Sequence, residues 1–61
     1  MSDEELGRLV VELDFVYQQL RARAIRPKVV RKFIKRLTPP QRQALGPRVG
    51  WVMDLAKRLT D

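Results

Sequence analysis

The chain has 61 residues, of which 33% are charged, and its formal net charge is +6. It contains no cysteine and no histidine, which excludes disulfides and zinc sites of the usual Cys/His kind. A chain of this length buries only about 60% of its unfolded surface, so we expect one small domain over residues 1–61 that depends on helix packing and on a partner subunit.

The first predicted helix begins near Asp3. Ser2 and Glu5 have the spacing of a capping box, and Met1 with Leu6 fits a hydrophobic staple. Apolar residues then recur at spacings of three and four, which predicts one buried stripe. Its members are Leu6, Leu9, Val10, Leu13, Val16, Tyr17, Leu20 and Ala24. The pattern predicts a helix over residues 3–25.

Pro27 marks the next boundary, because proline disfavours the α conformation of the residue before it and suits the first position of a new helix. A second helix is predicted over residues 28–37, although a single proline-kinked helix stays open as an alternative. One face of the second helix is apolar, with Val29, Val30, Phe33, Ile34 and Leu37. The opposite face is cationic over about 140° of the helix, with Lys28, Arg31, Lys32, Lys35 and Arg36.

Two further helices are predicted in the last third of the chain. Thr38 and Gln41 form a second capping box that opens a helix over residues 39–45, and Gly46 is a plausible stop. Pro47 opens a fourth helix over residues 48–59. No strand pattern is present, so the expected fold is a compact all-α domain of three to four helices. A helix-turn-helix template fits poorly, because Pro47 falls inside its first helix.

The charges are distributed unevenly along the chain. Residues 1–20 hold one basic and five acidic residues, a net charge of −4, whereas residues 21–61 hold twelve basic and two acidic residues, a net charge of +10. Residues 21–36 contain eight cations and no anion. Such a run favours an anionic partner, although a solvated helix face is the simpler alternative. The candidate nucleic-acid-binding residues are Arg21, Arg23, Arg26, Lys28, Arg31, Lys32, Lys35 and Arg36.

A second apolar stripe on the first helix predicts a protein interface. Val11, Phe15 and Ala22 lie opposite the main stripe, and a helix of a small monomer is expected to bury one face only. We therefore expect a homodimer; the alternative is that the other three helices cover this stripe. Trp51 is a fourth candidate interface residue; the alternatives are that it stacks on a nucleic-acid base or that it lies at the edge of the core.

These features favour a small basic nucleic-acid-binding protein of the accessory or regulatory kind, which contacts the phosphate backbone of DNA or RNA. The main alternative is an adaptor or inhibitor that docks on an acidic or hydrophobic surface of a larger complex. Association with a membrane surface is the weakest alternative, since the cationic helix is short. Without paired catalytic groups or a phosphate-binding loop, we expect no enzyme, cofactor or metal site. The absence of a long apolar run suggests a cytoplasmic protein.

Overall fold

Four helices make up the part of the chain that the structure describes. The computed structural model describes residues 2–59, in which the elements are α1 (Asp3–Arg21), α2 (Pro27–Arg36), α3 (Pro39–Leu45) and α4 (Pro47–Arg58). The described part of the chain contains no strand, which confirms the predicted all-α fold of three to four helices. Within it, no helix is both long and apolar enough to cross a membrane.

The start of α1 follows from its first residues. The backbone N–H of Glu5 donates to the Ser2 hydroxyl at 3.2 Å, as expected of an N-cap serine. Asp3, Glu4 and Glu5 occupy the first turn, where carboxylates interact favourably with the positive end of the helix dipole. The predicted staple involves Met1, which lies outside the described residues.

The end of α1 differs from the prediction. The helix stops at Arg21, four residues before the predicted end, because Arg23 adopts a positive φ of 59°. The N–H of Arg23 donates to the carbonyl of Leu20 at 3.0 Å, and that of Ala24 donates to the carbonyl of Gln19 at 2.8 Å. These two bonds form a Schellman motif, which usually has glycine at the left-handed position. Ala24, predicted to lie on the buried stripe, is therefore outside the helix and exposed.

The connection to α2 is a true break. Arg26 is extended, with φ −79° and ψ 143°, and Pro27 is the first residue of α2. The alternative of one proline-kinked helix is therefore wrong. The other predicted boundaries agree to within one residue: α2 and α4 each begin and end one residue earlier than predicted, and α3 coincides with its predicted range.

The core lies where the inward faces of the four helices meet. Its buried members are Leu13, Leu20, Val30, Ile34, Leu37, Leu45, Val52 and Ala56. Both α1 and α4 pack against each of the other three helices. Among residues 2–59 no polar or charged residue is buried, so the core is held by apolar packing alone.

The tight connections around α3 hold α2 and α4 in place. Thr38 and Gln41 form the complete capping box that was predicted: the Thr38 hydroxyl accepts from the Gln41 N–H at 3.3 Å, and the Gln41 side chain accepts from the Thr38 N–H at 2.9 Å. Gly46 alone separates α3 from α4, with φ 62° and ψ −136°. Only glycine adopts that conformation readily.

Candidate nucleic-acid interface

The eight predicted cations lie along the end of α1, the α1–α2 turn and α2, and we call this the cationic surface. Seven of them are exposed and Arg31 is half-buried; the set comprises Arg21, Arg23, Arg26, Lys28, Arg31, Lys32, Lys35 and Arg36. The opposite face of α2 enters the core, where Val30 and Ile34 are buried. The predicted division of α2 into an apolar and a cationic face is therefore confirmed, except that Val29 lies at the border and is 47% exposed. The binding role of these cations stays a prediction.

No carboxylate from a neighbouring stretch of sequence relieves this charge. The chain has no aspartate or glutamate between Asp14 and Asp54. Along α2 the cations follow one another at helical spacing, so that Lys32 has Lys28 one turn before it and Arg36 one turn after it. Each pair of like charges at this spacing destabilises a helix by about 0.2–0.5 kcal/mol. The cationic surface therefore lowers the stability of α2.

Three of the cations stand where local structure favours another residue type. Arg23 has the positive φ that favours glycine. Arg26 is the N-cap of α2 and makes no capping hydrogen bond with its side chain, at a position that favours serine, threonine, aspartate or asparagine. Lys28 lies in the first turn of α2, close to the positive end of the helix dipole. Folding of the α1–α2 turn does not account for cations at these three positions.

Two of these arginines border a recess. Arg23 and Arg26 line a cavity of about 310 Å³ between the α1–α2 turn and the end of α4. Leu20, Ile25 and Leu59 supply its apolar lining. The recess begins beside the N-terminus of α2, whose first turn contains no acidic residue. Positive charge from side chains and from the helix end is therefore concentrated at one side of the turn.

Arg42 is a cation that the sequence interpretation missed. Its Nη2 donates to the backbone carbonyl of Lys35 at 3.3 Å, which holds the guanidinium of an α3 residue beside the last turn of α2. The capping box at Thr38 sets the start of α3 and so fixes where Arg42 stands on it. The sequence did carry a signal, because the acid-free run continues beyond Arg36 through Arg42 and Arg48.

Arg21 differs from the other members of the cationic surface. Its guanidinium carbon lies 6.0 Å from the centroid of the Tyr17 ring, at the outer limit of a cation–π contact. This contact directs the side chain back along α1. Arg21 is exposed and stays available to an anion, but it already has a partner within its own helix.

The four predicted interface residues are all exposed, and Trp51 lies apart from Val11 and Phe15. Val11 and Phe15 are 70% and 62% exposed and line a shallow depression on the outer side of α1. Ala22 is the C-cap of α1. The alternative that α2, α3 and α4 cover the second stripe is therefore wrong. That these residues contact another protein stays a prediction.

Trp51 lies at a different place, beside a groove between α1 and α4. The groove has a volume of about 200 Å³. It is lined by Leu13, Asp14, Tyr17, Gln18, Arg48, Trp51 and Val52. Trp51 is 60% exposed, so less than half of its surface is buried at the edge of the core.

Comparison with known proteins adds no relative: no family model, curated protein or solved structure matches the chain. Within residues 2–59, no group of three or more acidic side chains could hold a metal ion. What the chain can bind is therefore inferred from its own surface chemistry. Guanidinium and ammonium groups without neighbouring carboxylates are donors for phosphate oxygens.

Proposed function

We propose that the protein binds nucleic acid through the phosphate backbone, as a small accessory or regulatory protein. The observation that carries the proposal is the cationic surface, which is exposed apart from the half-buried Arg31 and lies in a stretch without carboxylates from residue 15 to residue 53. Three of its cations stand at positions that local structure disfavours. A surface selected for solubility alone mixes charges of both signs. A polyanion with regularly spaced phosphates supplies the missing counter-charge.

The chemistry of the surface favours backbone contact over base recognition. Ammonium groups bind phosphates as point charges, and guanidinium groups bind them through paired N–H donors. The cationic face of α2 contains no asparagine or glutamine, the side chains that read adenine in the major groove, so base contacts from this face would be limited to guanine, which arginine and lysine can read. Binding is therefore expected to depend strongly on salt and weakly on sequence, for DNA and RNA alike.

A double charge reversal on α2 tests the proposal. In Lys32→Glu with Lys35→Glu, two exposed cations become carboxylates in the middle of the surface. We expect affinity for a duplex or single strand to fall roughly 100-fold at about 0.1 M salt, since each lost phosphate contact costs nearly tenfold there. Helix α2 should survive, because the carboxylate introduced at position 32 would stand one turn from both Lys28 and Arg36.

The matched control carries the same change in net charge elsewhere. Lys57 and Arg58 are exposed in the last turn of α4, and Lys57→Glu with Arg58→Glu should weaken binding only several-fold. Fluorescence anisotropy with a labelled oligonucleotide measures both variants, and circular dichroism checks that they fold. Equal losses from the two double variants would show that net charge, and not the cationic surface, governs binding. No binding by the wild type at low salt would remove the proposal.

A second candidate function is a protein-interaction module, an adaptor or inhibitor of a larger complex. The observation that favours it is the groove beside Trp51, which combines an exposed indole with a concave surface. Exposed tryptophan beside a groove is typical of interface anchors. Trp51 is the only tryptophan of the chain, so its fluorescence reports on this groove alone. A partner that changes Trp51 emission, and whose binding survives nuclease and high salt, would favour this function.

A further inference from the structure

The outer stripe of α1, which consists of Gly7, Val11 and Phe15, is an apolar surface that the other helices in residues 2–59 do not cover. Its members stand on successive turns of α1, on the side opposite the core residue Leu13. Val11 and Phe15 are largely exposed. At Gly7 an added Cβ would meet nothing within 4 Å, so the surface there is open. The stripe thus has a flat end at Gly7 and a projecting end at Phe15.

We propose that a second copy of this chain covers the outer stripe, with the two α1 helices antiparallel about a two-fold axis at Val11. In this register Val11 faces Val11 of the second copy, and Phe15 faces Gly7 of the second copy. The projecting end of each stripe then meets the flat end of the other stripe, so the interface contains this contact twice. A two-fold interface requires such self-complementarity, because the same patch is used by both subunits.

Two pairs among the charges near the outer stripe agree with this arrangement. At about 100° per residue, Glu4 falls on the stripe itself, Arg8 and Glu12 lie on one flank, and Asp3, Asp14 and Arg21 lie on the other. In an antiparallel pair each flank meets the same flank of the second copy. Measured along the helix axis, Arg8 is then offset by two residues from Glu12 of the second copy. Arg21 is likewise offset by two residues from Asp3 of the second copy. All four side chains are exposed and can form ion pairs across the interface.

A parallel arrangement has the opposite charge pattern. It would place the acidic first turns of both helices, each with Asp3, Glu4 and Glu5, side by side. It would also align the two helix dipoles, whereas an antiparallel pair opposes them. Helix α1 is acidic at its start and basic at Arg21. Opposite charges of two copies therefore meet only when the two helices run antiparallel.

The size of the surface predicts a weak dimer. Helix α1 has 19 residues and is about 28 Å long, so one helix pair buries no more than the low end of the roughly 1,200–2,000 Å² of stable complexes. We therefore expect a dissociation constant in the micromolar range, and a dimer that forms without nucleic acid. The inference is independent of the proposed function, since its test contains no nucleic acid.

Sedimentation over a concentration series is the first test. The wild type should change from monomer to dimer as concentration rises. Phe15→Glu should remain monomeric and fully helical, because a carboxylate would be buried against an apolar partner. Ala44→Glu is the control: Ala44 is exposed on α3 and lies outside the stripe, so this variant should dimerise like the wild type.

Gly7→Gln separates dimerisation from helix stability. The monomer has room for the side chain, and replacing glycine within α1 favours the helix. The same side chain would occupy the space of Phe15 of the second copy. We expect the thermal midpoint of the dilute protein to rise while the dimer dissociation constant increases at least roughly tenfold, as for other overpacked contacts. A merely local effect on α1 would not move the two measurements in opposite directions.

The register is tested by cross-linking. The chain has no cysteine, so single-cysteine variants are free of background. Val11→Cys should form a disulfide dimer under mild oxidation, since a residue at the two-fold axis faces itself. Ala44→Cys, an exposed position on α3, should not do so at the same concentration. A wild type that stays monomeric at millimolar concentration, a Phe15→Glu variant that dimerises normally, or equal cross-linking at residues 11 and 44 would each overturn the inference.

Discussion

The outward faces of α1 and α2 differ in what they leave in water. The outward face of α2 is cationic, and its apolar residues enter the core, apart from the border residue Val29. The outward face of α1 exposes Val11 and Phe15 although the opposite face already supplies Leu13 and Leu20 to the core. Charges remain solvated at little cost and act over about 10 Å at moderate salt, whereas apolar side chains gain only on direct contact. We therefore propose different partners for the two faces, a polyanion for α2 and an apolar surface for α1.

The largest expected effect distinguishes the two faces of α1 from each other. Leu13 is 1% exposed and Val11 is 70% exposed, although they are only two residues apart. Leu13→Ala should lower the free energy of unfolding by about 2–5 kcal/mol, because it removes buried methyl groups and leaves a cavity. In a domain of this size that loss can unfold the protein at room temperature.

Val11→Ala is the matched control for this prediction. At low protein concentration it should change the free energy of unfolding by no more than about 0.5 kcal/mol. Urea denaturation followed by circular dichroism measures both variants. A large loss of stability from Val11→Ala in the monomer would show that the outer face of α1 belongs to the core after all, and the comparison between the two helices would collapse.

A smaller effect is expected at the turn between the two helices. Arg23→Gly should raise the free energy of unfolding by about 1 kcal/mol, because glycine adopts the positive φ of this position without the steric cost of a Cβ. The same change removes one cation from the α1–α2 turn and should lower affinity for nucleic acid by up to roughly tenfold. Stability and binding are then expected to move in opposite directions.

Arg23→Ala removes the same charge but keeps the steric cost. It should lose as much affinity as Arg23→Gly without the gain in stability, and denaturation with anisotropy compares the two variants. If Arg23→Gly lost no affinity, the argument that cations are kept at unfavourable positions for a ligand would fail at this residue. If it gained no stability, the positive φ would not be a cost to the fold.

Local signals in the sequence were sufficient to predict most of the fold. Most helix boundaries are set by residues that act within one helical turn. They are the capping residues Ser2 and Thr38, the prolines at positions 27, 39 and 47, and the stop at Gly46. Their effect does not depend on distant packing. The end of α1 was missed because its left-handed residue is an arginine, and no local rule selects arginine there.

Features that depend on tertiary placement could be predicted only in part. Arg42 joins the end of α2 through a hydrogen bond across the α2–α3 connection, which periodicity does not reveal. Whether other helices cover Val11 and Phe15 was undecided until the packing was known, since the same stripe is compatible with burial inside a larger bundle. The amphipathic character of α2, by contrast, followed directly from residue spacing.

Contact between the cationic surface and a phosphate backbone predicts that binding weakens as the salt concentration rises. The association constant of the wild type for a DNA duplex would be measured over a series of salt concentrations. If the five cations on the outward face of α2 each contact one phosphate, the slope of log K against log salt should be about −4 to −5. A slope near zero, or no binding at about 50 mM salt, where phosphate contacts are strong, would show that the cationic surface does not bind a phosphate backbone.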